Sequence, residues 1–307
     1  MEHVPVLLKE VLEVMKPVDG GRYFDGTLGN GGHAGAVLEA CSPSGELAGC
    51  DLDHSAVERV SQTLKRFHPR AHLFTANFTD IDRICGGLGW ESLDGVLVDL
   101  GMSSIELDDA SRGFSFTGEG PLDMRYSPAQ GLTAFEVVNT YDEETLGRII
   151  REYGEERFSR RIARRIVESR PLDTTHSLAN VVCRAIPRKF WPERIHPATR
   201  TFQAIRMEVN AELDNLKEFL PKAASLLADG GVLAVISFHS LEDRIVKQFF
   251  AGPTAALLYR RGLPLQREAP AEPFRRITKK PITACDEEIR LNPRARSAKL
   301  RAARRAS

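Results

Sequence analysis

The sequence of 307 residues lacks any close pair of cysteines. Its five cysteines are odd in number and widely spaced, which argues against a disulfide framework or a zinc site and favours a reducing cytoplasm. No apolar run approaches the ~20 residues that a transmembrane helix needs. The N-terminal segment has neither the basic start nor the apolar length of a signal peptide. We therefore expect a cytoplasmic protein that has no membrane partner.

The whole chain also has no net charge, because 42 basic residues balance 42 acidic ones. The balance is uneven along the chain. Residues 1–156 carry a net charge of −15 and residues 207–243 carry −5, whereas residues 157–206 carry +9 and residues 244–307 carry +11. Two basic blocks of this size indicate a polyanionic partner, most often a nucleic acid. The alternative is a set of solvated helix faces followed by a basic tail.

A glycine-rich segment follows the first apolar strand. Tyr23 and Phe24 lead into Asp25, and a helix-compatible run extends from Ala34 to Ala40. Four glycines lie between them: Gly26, Gly29, Gly31 and Gly32. A loop with so few Cβ atoms lets a ligand lie against the backbone, and the helix start supplies free N–H groups. The segment predicts a binding site for an adenosine-containing cofactor in an open α/β fold.

Three further apolar runs are predicted as strands. The first and third of them end in an aspartate, and the second leads into Asn77 and Phe78. These runs are Glu46–Asp51, Ala71–Ala76 and Gly95–Asp99. Because the carboxyl ends of parallel strands meet at one edge of the sheet, ligands bind there. The predicted strands bring four side chains to that edge: Asp25, Asp51, Phe78 and Asp99.

The charge at this edge decides between two cofactor classes. The spacing of Gly29, Gly31 and Ala34 also satisfies the loose dinucleotide fingerprint, so a nicotinamide oxidoreductase is the alternative from the residues alone. Acids at three of four strand ends favour a cationic cofactor, because a pyrophosphate needs N–H donors rather than carboxylates. S-adenosylmethionine carries a sulfonium and an ammonium. Methyl transfer is therefore predicted over hydride transfer.

A long insertion separates the fourth strand from the fifth, Gly230–Ser237. The helix before the fifth strand, Val209–Leu227, starts over 100 residues after Asp99, although a crossover needs only about a dozen. The excess predicts an inserted helical subdomain, with Asp142 and Thr174 or Thr175 as helix N-caps. The predicted helices of this subdomain are Ala134–Asn139, Asp142–Tyr153 and Glu155–Ser169. Outside the subdomain, near the end of the chain, Phe274–Ile282 and Ser297–Arg304 are predicted as edge strands.

Several longer segments make the chain similar to the MraW/RsmH family of bacterial methyltransferases, which modify the N4 amine of a cytosine in small-subunit (16S) ribosomal RNA. The matching segments are long and unusual in composition. They are His3–Leu8, Asp25–His33, Asp99–Ser104, Arg112–Phe116, Gly120–Arg125, Tyr153–Phe158, His196–Gln203, Ile236–Ile245 and Asn292–Ser297. The resemblance therefore extends over nearly the whole chain.

The resemblance implies a class I, Rossmann-like methyltransferase sheet with an inserted helical subdomain. Residues 1–105 and 208–307 are expected to form the S-adenosylmethionine-binding domain, and residues 106–207 the substrate-recognition domain. The implied cofactor contacts are Gly31, Gly32, His33, Asp51, Phe78, Asp99 and Glu106. At the last of these positions the family commonly has glutamine, and the glutamate of this chain keeps the acceptor but loses the amide donors.

Asp99 has two open roles, because methyl transfer mainly requires a positioned nucleophile. Its carboxylate, or the carbonyl of Leu100, stands where an acceptor could hold an N–H of the cytosine amine. Asp99 could instead contact only the cofactor. The aspartate–proline–proline–aromatic sequence common in amino-methyltransferases is absent here, so the assignment of Asp99 as the catalytic residue rests on position alone.

The other site residues have predicted roles as well, and for Asp25 and Phe78 two roles are open. Asp51 is expected to accept hydrogen bonds from the ribose hydroxyls, and Asp25 to organise the glycine loop or meet the methionine ammonium through water. Phe78 either flanks the adenine or is an ordinary core aromatic, and His33 caps the turn into the helix. Phe238, His239 and Ser240 follow the fifth strand and are expected to border the target base. A hydrolase is disfavoured because no G-x-S-x-G segment is present.

Basic residues of the first basic block are expected to contact RNA phosphates. Because of these contacts, the affinity for RNA should fall steeply as the salt concentration rises. The positions are Arg160, Arg161, Arg164, Arg165, Arg188, Lys189, Arg194 and Arg200. We expect the partner to be small-subunit ribosomal RNA, with the assembled subunit as the favoured substrate. The sequence leaves a homodimer open. Alternatives are an amino-methyltransferase acting on DNA or another RNA, and a ribosome-assembly factor that keeps the cofactor as a structural ligand.

Overall fold

The computed structural model describes residues 5–102, 107–193, 195–258 and 274–306, with the backbone alone at 253–258. The chain divides into two compact units. Residues 1–101 and 214–307 form an α/β unit, and residues 102–213 form a helical unit. These boundaries lie a few residues from the predicted ones at 105/106 and 207/208. Within the described ranges, no helix is long and apolar enough to cross a membrane.

The α/β unit is built on a seven-stranded sheet with the order β3-β2-β1-β4-β5-β7-β6. Strands β1 to β5 pair in parallel, and β7 alone runs in the opposite direction between β5 and β6. The strands are β1 (Arg22–Asp25), β2 (Glu46–Asp51), β3 (Ala71–Thr75), β4 (Leu93–Asp99), β5 (Leu227–Ser237), β6 (Phe274–Arg276) and β7 (Lys299–Arg305). The five predicted parallel strands are confirmed.

Helices cover both faces of this sheet. The helices of the unit are α1 (Leu8–Met15), α2 (Gly32–Ala40), α3 (His54–Thr63), α4 (Ile81–Gly87), α10 (Glu212–Leu226), which begins at the unit boundary, α11 (Ser240–Leu258), which is broken at Gly252, and α12 (Asp286–Leu291). Successive strand residues point to opposite faces, so Tyr23 packs with α1 to α3 while Phe24 packs with α4, α10 and α11. Burial on both faces explains why the strands are nearly continuous apolar runs.

The two predicted edge strands near the end of the chain are shorter than expected. In the first, only Phe274–Arg276 pairs with β7, because the backbone N–H groups of Ile277 and Thr278 both donate to the carbonyl of Ala302. This shared acceptor interrupts the ladder, and Ile282 then makes an isolated bridge. The second strand begins at Lys299 rather than Ser297, because a 3₁₀ turn occupies Pro293–Ser297. Its prediction as an edge strand is wrong, since β7 pairs with both β5 and β6.

The helical unit has its own apolar core. Its helices are α5 (Ala134–Thr140), α6 (Glu143–Glu152), α7 (Ser159–Glu168), α8 (Thr175–Ala185) and α9 (Thr199–Val209). The predicted N-caps are confirmed, since the Asp142 carboxylate accepts from the N–H of Thr145 and Thr174 forms a capping box with Ser177. These caps satisfy N–H groups that the first turn of a helix leaves without partners.

The predicted helix Glu155–Ser169 is wrong at its start. Glu155 has a φ of 48°, in the left-handed region, and α7 begins only at Ser159. The cause is local packing: a Cβ on Gly154 would lie 2.6 Å from the carbonyl oxygen of Arg200 in α9. The inner face of α7 joins the core of the unit, because Ile162 and Ile166 are fully buried.

Candidate cofactor site

The glycine loop joins the end of β1 to α2 at the carboxyl edge of the sheet. Gly29 and Gly31 have φ values of 50° and 76°, which are conformations that glycine adopts without a Cβ penalty. The N–H of Gly31 donates to the carbonyl of Leu28 at 2.6 Å, which closes the turn before the helix. Gly31 is the N-cap of α2 and has no side chain with which to cap it. The loop therefore presents backbone rather than side chains at the helix start.

Three glycines of the loop are packed too tightly to carry a side chain. A Cβ would come within 3.0 Å of a neighbouring side chain at Gly26 (Val98), Gly31 (Val60) and Gly32 (Pro5). Gly29 differs, because no atom lies within 4 Å of its virtual Cβ. The absence of side chains at Gly31 and Gly32 is thus explained by internal packing, and Gly29 marks the open side of the loop.

Asp51, at the end of β2, fixes this loop. One carboxylate oxygen accepts from the N–H of Gly29 at 2.9 Å, and the other accepts from the N–H of Asp53 at 2.9 Å. Burial raises the pKa of Asp51. Each carboxylate oxygen can accept two hydrogen bonds, so both retain capacity for a further donor. Asp51 therefore supports the loop and still has acceptor capacity for the ribose hydroxyls predicted as its ligand.

Asp25, at the end of β1, is almost fully buried, with 2% of its surface exposed. Its Oδ1 accepts from the N–H of Thr27 at 3.1 Å, so it organises the loop as expected. Its Oδ2 is buried and has no hydrogen-bond partner among the described residues. Burial, together with the negative charges of Asp99 and Asp51, raises the pKa of Asp25 from 3.8 to about 7 in spite of His33 and the Thr27 N–H. A buried acceptor of this kind fits a cationic ligand group.

The ring of His33, in the first turn of α2, lies beside Asp99 at the end of β4. Nε2 of His33 is 3.7 Å from Oδ2 of Asp99, and the side chains are 6% and 24% exposed. Burial lowers the pKa of His33, but the neighbouring carboxylates of Asp99 and Asp25 raise it by more, so the net shift is upward. The sequence predicted a turn-capping role for His33, and the family resemblance a cofactor contact, but the position of its ring beside the Asp99 carboxylate was missed.

Asp99 is also joined to the loop through its backbone. Its N–H donates to Oγ1 of Thr27 at 2.6 Å. Oδ1 of Asp99 and both ring nitrogens of His33 are buried without a hydrogen-bond partner in the described part of the chain. Together with Oδ2 of Asp25, these atoms form a compact polar cluster whose hydrogen-bonding capacity is not used by the fold. Buried polar groups are nearly always paired, so such a cluster is typical of a ligand site.

Phe78 stands after β3 and beside the same loop. It begins a 3₁₀ turn, Phe78–Asp80, and its Cβ would lie 2.9 Å from a Cβ on Gly26. Its ring is half-buried and meets the edge of Phe219 at a centroid distance of 5.0 Å. Phe78 thus packs on the core and also borders the glycine loop, so both of its predicted roles stay compatible with its position.

The segment after β5 lies next to the end of β4. The ring of Phe238 packs against Gly101, where a Cβ would be 3.1 Å from Cδ2. The N–H groups of Phe238 and His239 donate to one carboxylate oxygen of Glu242 at 2.9 and 3.3 Å, which fixes the turn into α11. Asp243 does not join His239 in a hydrolase-like arrangement, because its carboxylate binds Arg301 at 2.6 Å.

Two predicted residues lie outside the described ranges. Glu106, implied as a cofactor contact, and Arg194, expected to bind phosphate, both fall there. The structure does bring Gly31, Gly32, His33, Asp51, Phe78 and Asp99 to the carboxyl edge of one sheet, on and around one loop. Their roles as ligand contacts stay predictions.

The strand order, with one reversed strand beside β5 and a glycine loop after β1, defines an α/β protein with the Rossmann-like sheet of class I methyltransferases. The predicted fold class is confirmed. The model of the MraW methylase family matches residues 1–306, and the chain belongs to that family.

Relatives with established names match along their whole length. The chain is 50% identical over 307 residues to "Ribosomal RNA small subunit methyltransferase H" of Syntrophotalea carbinolica, which covers 99% of this chain and 98% of the relative. It is 48% identical over 310 residues to the protein of the same name from Geobacter sulfurreducens, with 98% of each chain covered. Among solved structures, a "putative rRNA-methylase" from Clostridium thermocellum aligns with a TM-score of 0.45 at 11% identity, covering 99% of both chains.

Proposed function

We propose that this protein transfers a methyl group from S-adenosylmethionine to small-subunit (16S) ribosomal RNA, at the N4 amine of a cytosine. The observation that carries the proposal is the polar cluster of Asp25, His33 and Asp99 beside the glycine loop, in a chain of the MraW methylase family. The relatives named as methyltransferases of small-subunit ribosomal RNA support the substrate class.

The residues of the carboxyl edge fit the parts of S-adenosylmethionine. The free oxygens of Asp25 and Asp99 suit its positive charges, and Asp51 suits the ribose diol. The open side of Gly29 and the helix start at Gly31 suit close approach of the ligand to the backbone. When bound, the cofactor supplies a methyl carbon activated by its sulfonium. In the same proposal, Phe78 flanks the adenine, and His33 contacts the cofactor.

Asp99 is the proposed catalytic acceptor. The lone pair of the cytosine amine is delocalised into the ring, so an acceptor that holds one N–H turns the lone pair toward the methyl group. Forming the N–C bond would break the bond between the methyl carbon and sulfur, with S-adenosylhomocysteine as the leaving group. The nitrogen would then have a proton to lose, which Asp99 or water would take. The buried ring of His33 lies against the Asp99 carboxylate and restricts its orientation. Correct orientation of reacting groups supplies much of the catalysis in such displacements.

The two roles of Asp99 are separated by steady-state kinetics of the Asp99→Ala variant. If Asp99 holds the amine, kcat should fall by roughly 100-fold or more at saturating cofactor, as for the loss of a positioned acid or base. If it contacts only the cofactor, KM for S-adenosylmethionine should rise while kcat is retained. An Asp99→Asn variant, which keeps one acceptor oxygen, should lose less activity than Asp99→Ala when the acceptor role is correct.

The helical unit supplies the proposed RNA contacts. Most of its predicted phosphate ligands are exposed, and ion pairs join Arg164 to Glu143 and Arg165 to Glu168. A basic surface on an inserted unit is suited to a large folded substrate, so we include the assembled small subunit as the favoured one. The cytoplasm, where ribosomes are made, is the corresponding location.

One experiment tests this function against its alternatives. Tritiated methyl groups from S-adenosylmethionine should enter assembled small subunits, less efficiently free 16S ribosomal RNA, and not DNA, and nuclease digestion should release labelled N4-methylcytidine. Incorporation into DNA would favour the amino-methyltransferase alternative. Tight cofactor and subunit binding with no incorporation would favour the assembly factor.

A further inference from the structure

The helical unit carries a cluster of aromatic rings and cations at its surface, in which Phe158 and Trp191 are half-buried against the core and Phe190 is exposed. We call it the Phe190 cluster and define it as Arg157, Phe158, Arg188, Lys189, Phe190 and Trp191. The guanidinium of Arg157 lies 4.1 Å from the ring centre of Phe190 and 4.7 Å from that of Phe158. The two rings are 5.3 Å apart, and Nζ of Lys189 is 5.0 Å from the centre of Phe190.

Local structure holds this cluster in place. Arg188–Phe190 forms a 3₁₀ turn after Pro187, and the N–H of Phe190 donates to the Pro187 carbonyl at 2.8 Å. The indole N–H of Trp191 donates to the carbonyl of Ile186 at 3.0 Å, and the guanidinium of Arg188 lies 5.3 Å from the indole ring. Backbone hydrogen bonds therefore hold the turn and the Trp191 ring, and cations lie beside the aromatic rings.

Two features separate the cluster from an ordinary helix surface. Phe190 is 42% exposed, although large aromatic side chains are usually buried when a core is available. No carboxylate of the described residues forms an ion pair with Arg157, Arg188 or Lys189, whereas Arg165 in α7 binds Glu168 at 2.9 Å. An exposed ring beside cations that form no ion pair within the described structure suits a ligand that is both aromatic and anionic.

We infer that the Phe190 cluster binds an unpaired nucleotide of the RNA substrate, with the base stacked on Phe190 and its flanking phosphates held by Arg157 and Lys189. Proteins recognise single-stranded RNA in this way, through stacking of unpaired bases on aromatic rings and guanidinium planes. The net charge of +9 in residues 157–206 complements the phosphate backbone. The inference rests on the proposed function, because it takes RNA as the substrate and adds a nucleotide-binding site on the helical unit.

The matched test compares Phe190→Leu with Phe135→Leu. Phe135 belongs to the same unit and is equally exposed at 42%, but no cation stands over its ring in the described structure. The probes are purified small subunits and free 16S ribosomal RNA, bound to the full-length protein. In Phe190→Leu, Kd and KM for RNA should rise roughly 5- to 150-fold, the range for loss of one base-on-aromatic stack. Phe135→Leu should bind as the unmodified protein does, and Phe190→Trp should retain the affinity.

Two further measurements separate stacking from charge and from folding. Phe190→Leu should leave the salt dependence of binding unchanged, whereas Arg157→Gln should lower the log–log slope by roughly 0.7–0.9, the value for one phosphate contact. Affinity for S-adenosylmethionine, kcat at saturating RNA and the thermal unfolding midpoint should be the same in Phe190→Leu and Phe135→Leu. A larger loss of stability in Phe190→Leu would assign the ring to packing and overturn the inference.

The outcomes also separate this inference from the proposed function. If the unmodified protein methylates no ribosomal RNA, the proposed function fails. If it methylates small subunits while Phe190→Leu binds RNA as tightly as Phe135→Leu does, only the nucleotide site fails. The cluster would then be assigned to contact with another protein surface.

Discussion

Acidification should weaken binding of the methyl donor, because Asp25 must be ionised to attract a cation. Burial raises its pKa to about 7, and its Oδ2 is free of hydrogen bonds within the described structure. With that pKa, about half of the Asp25 side chains are ionised at pH 7 and about 3% at pH 5.5, so the Kd for S-adenosylmethionine should rise roughly 15-fold over this interval. This pH range lies below the pKa of the α-amino group of S-adenosylmethionine, which is about 8, so the ligand itself stays largely protonated.

Isothermal titration calorimetry between pH 5.5 and 7 measures this effect. Repeating the titration at pH 7 in buffers of different ionisation enthalpy should show release of about half a proton per ligand bound. The Asp25→Asn variant should bind weakly and without pH dependence, whereas exposed Asp173→Asn should behave as the unmodified protein. A flat Kd in the unmodified protein, or the same slope in Asp25→Asn, would refute the reasoning.

The same pKa makes a prediction for the ligand-free protein. Because the folded pKa of Asp25 lies above its ordinary value of 3.8, its contribution to the free energy of unfolding is fully present below pH 3.8 and is lost as pH rises through about 7. At 1.36 kcal/mol per pKa unit, the loss amounts to about 4 kcal/mol at pH 8. Asp25→Asn, which keeps an acceptor for Thr27, should therefore unfold at a higher temperature than the unmodified protein at pH 8 but not at pH 4.

Two comparisons test the fold around the site. In urea unfolding, Gly31→Ala should lower the free energy of unfolding by about 2–4 kcal/mol, because the strain of the left-handed backbone and the overpacking of the new Cβ add. Gly29→Ala introduces the backbone strain alone and should lower it by about 1 kcal/mol. Equal losses in the two variants would contradict the packing argument. Asp243→Ala leaves buried Arg301 without its 2.6 Å partner and should cost about 3–5 kcal/mol. Asp229→Ala, in β5, removes only an exposed ion pair with Arg305 at 3.9 Å and should cost under ~1 kcal/mol. Similar losses in these two variants would contradict the assignment of a buried ion pair.

The sheet and its ligand edge could be predicted because parallel strands have a strong local signal. Each of the first four is an apolar run, and the runs of β1, β2 and β4 each end in an aspartate that the structure places at the carboxyl edge. Burial on both faces makes such strands nearly continuous apolar runs, so their ends can be located within a residue or two. The glycine loop was equally visible, because its four glycines lie within seven residues of the chain.

The features that sequence reasoning missed depend on contacts between distant segments. The ring of His33 meets Asp99 only because α2 and the end of β4 come together across the loop, and no local pattern encodes that distance. The late start of α7 has the same origin, since helix-forming residues at 155–158 are overridden by the packing of Gly154 against Arg200. The cations around Phe190 were noted as charges, but their stacking on aromatic rings required the folded unit.

A crystal structure of the protein with S-adenosylmethionine and cytidine is the most direct test of the account. We predict the ribose hydroxyls at the Asp51 carboxylate, the methionine ammonium near Asp25, and the cytidine N4 within hydrogen-bond distance of Asp99 or of the Leu100 carbonyl. A donor bound away from the glycine loop and these three aspartates would contradict it.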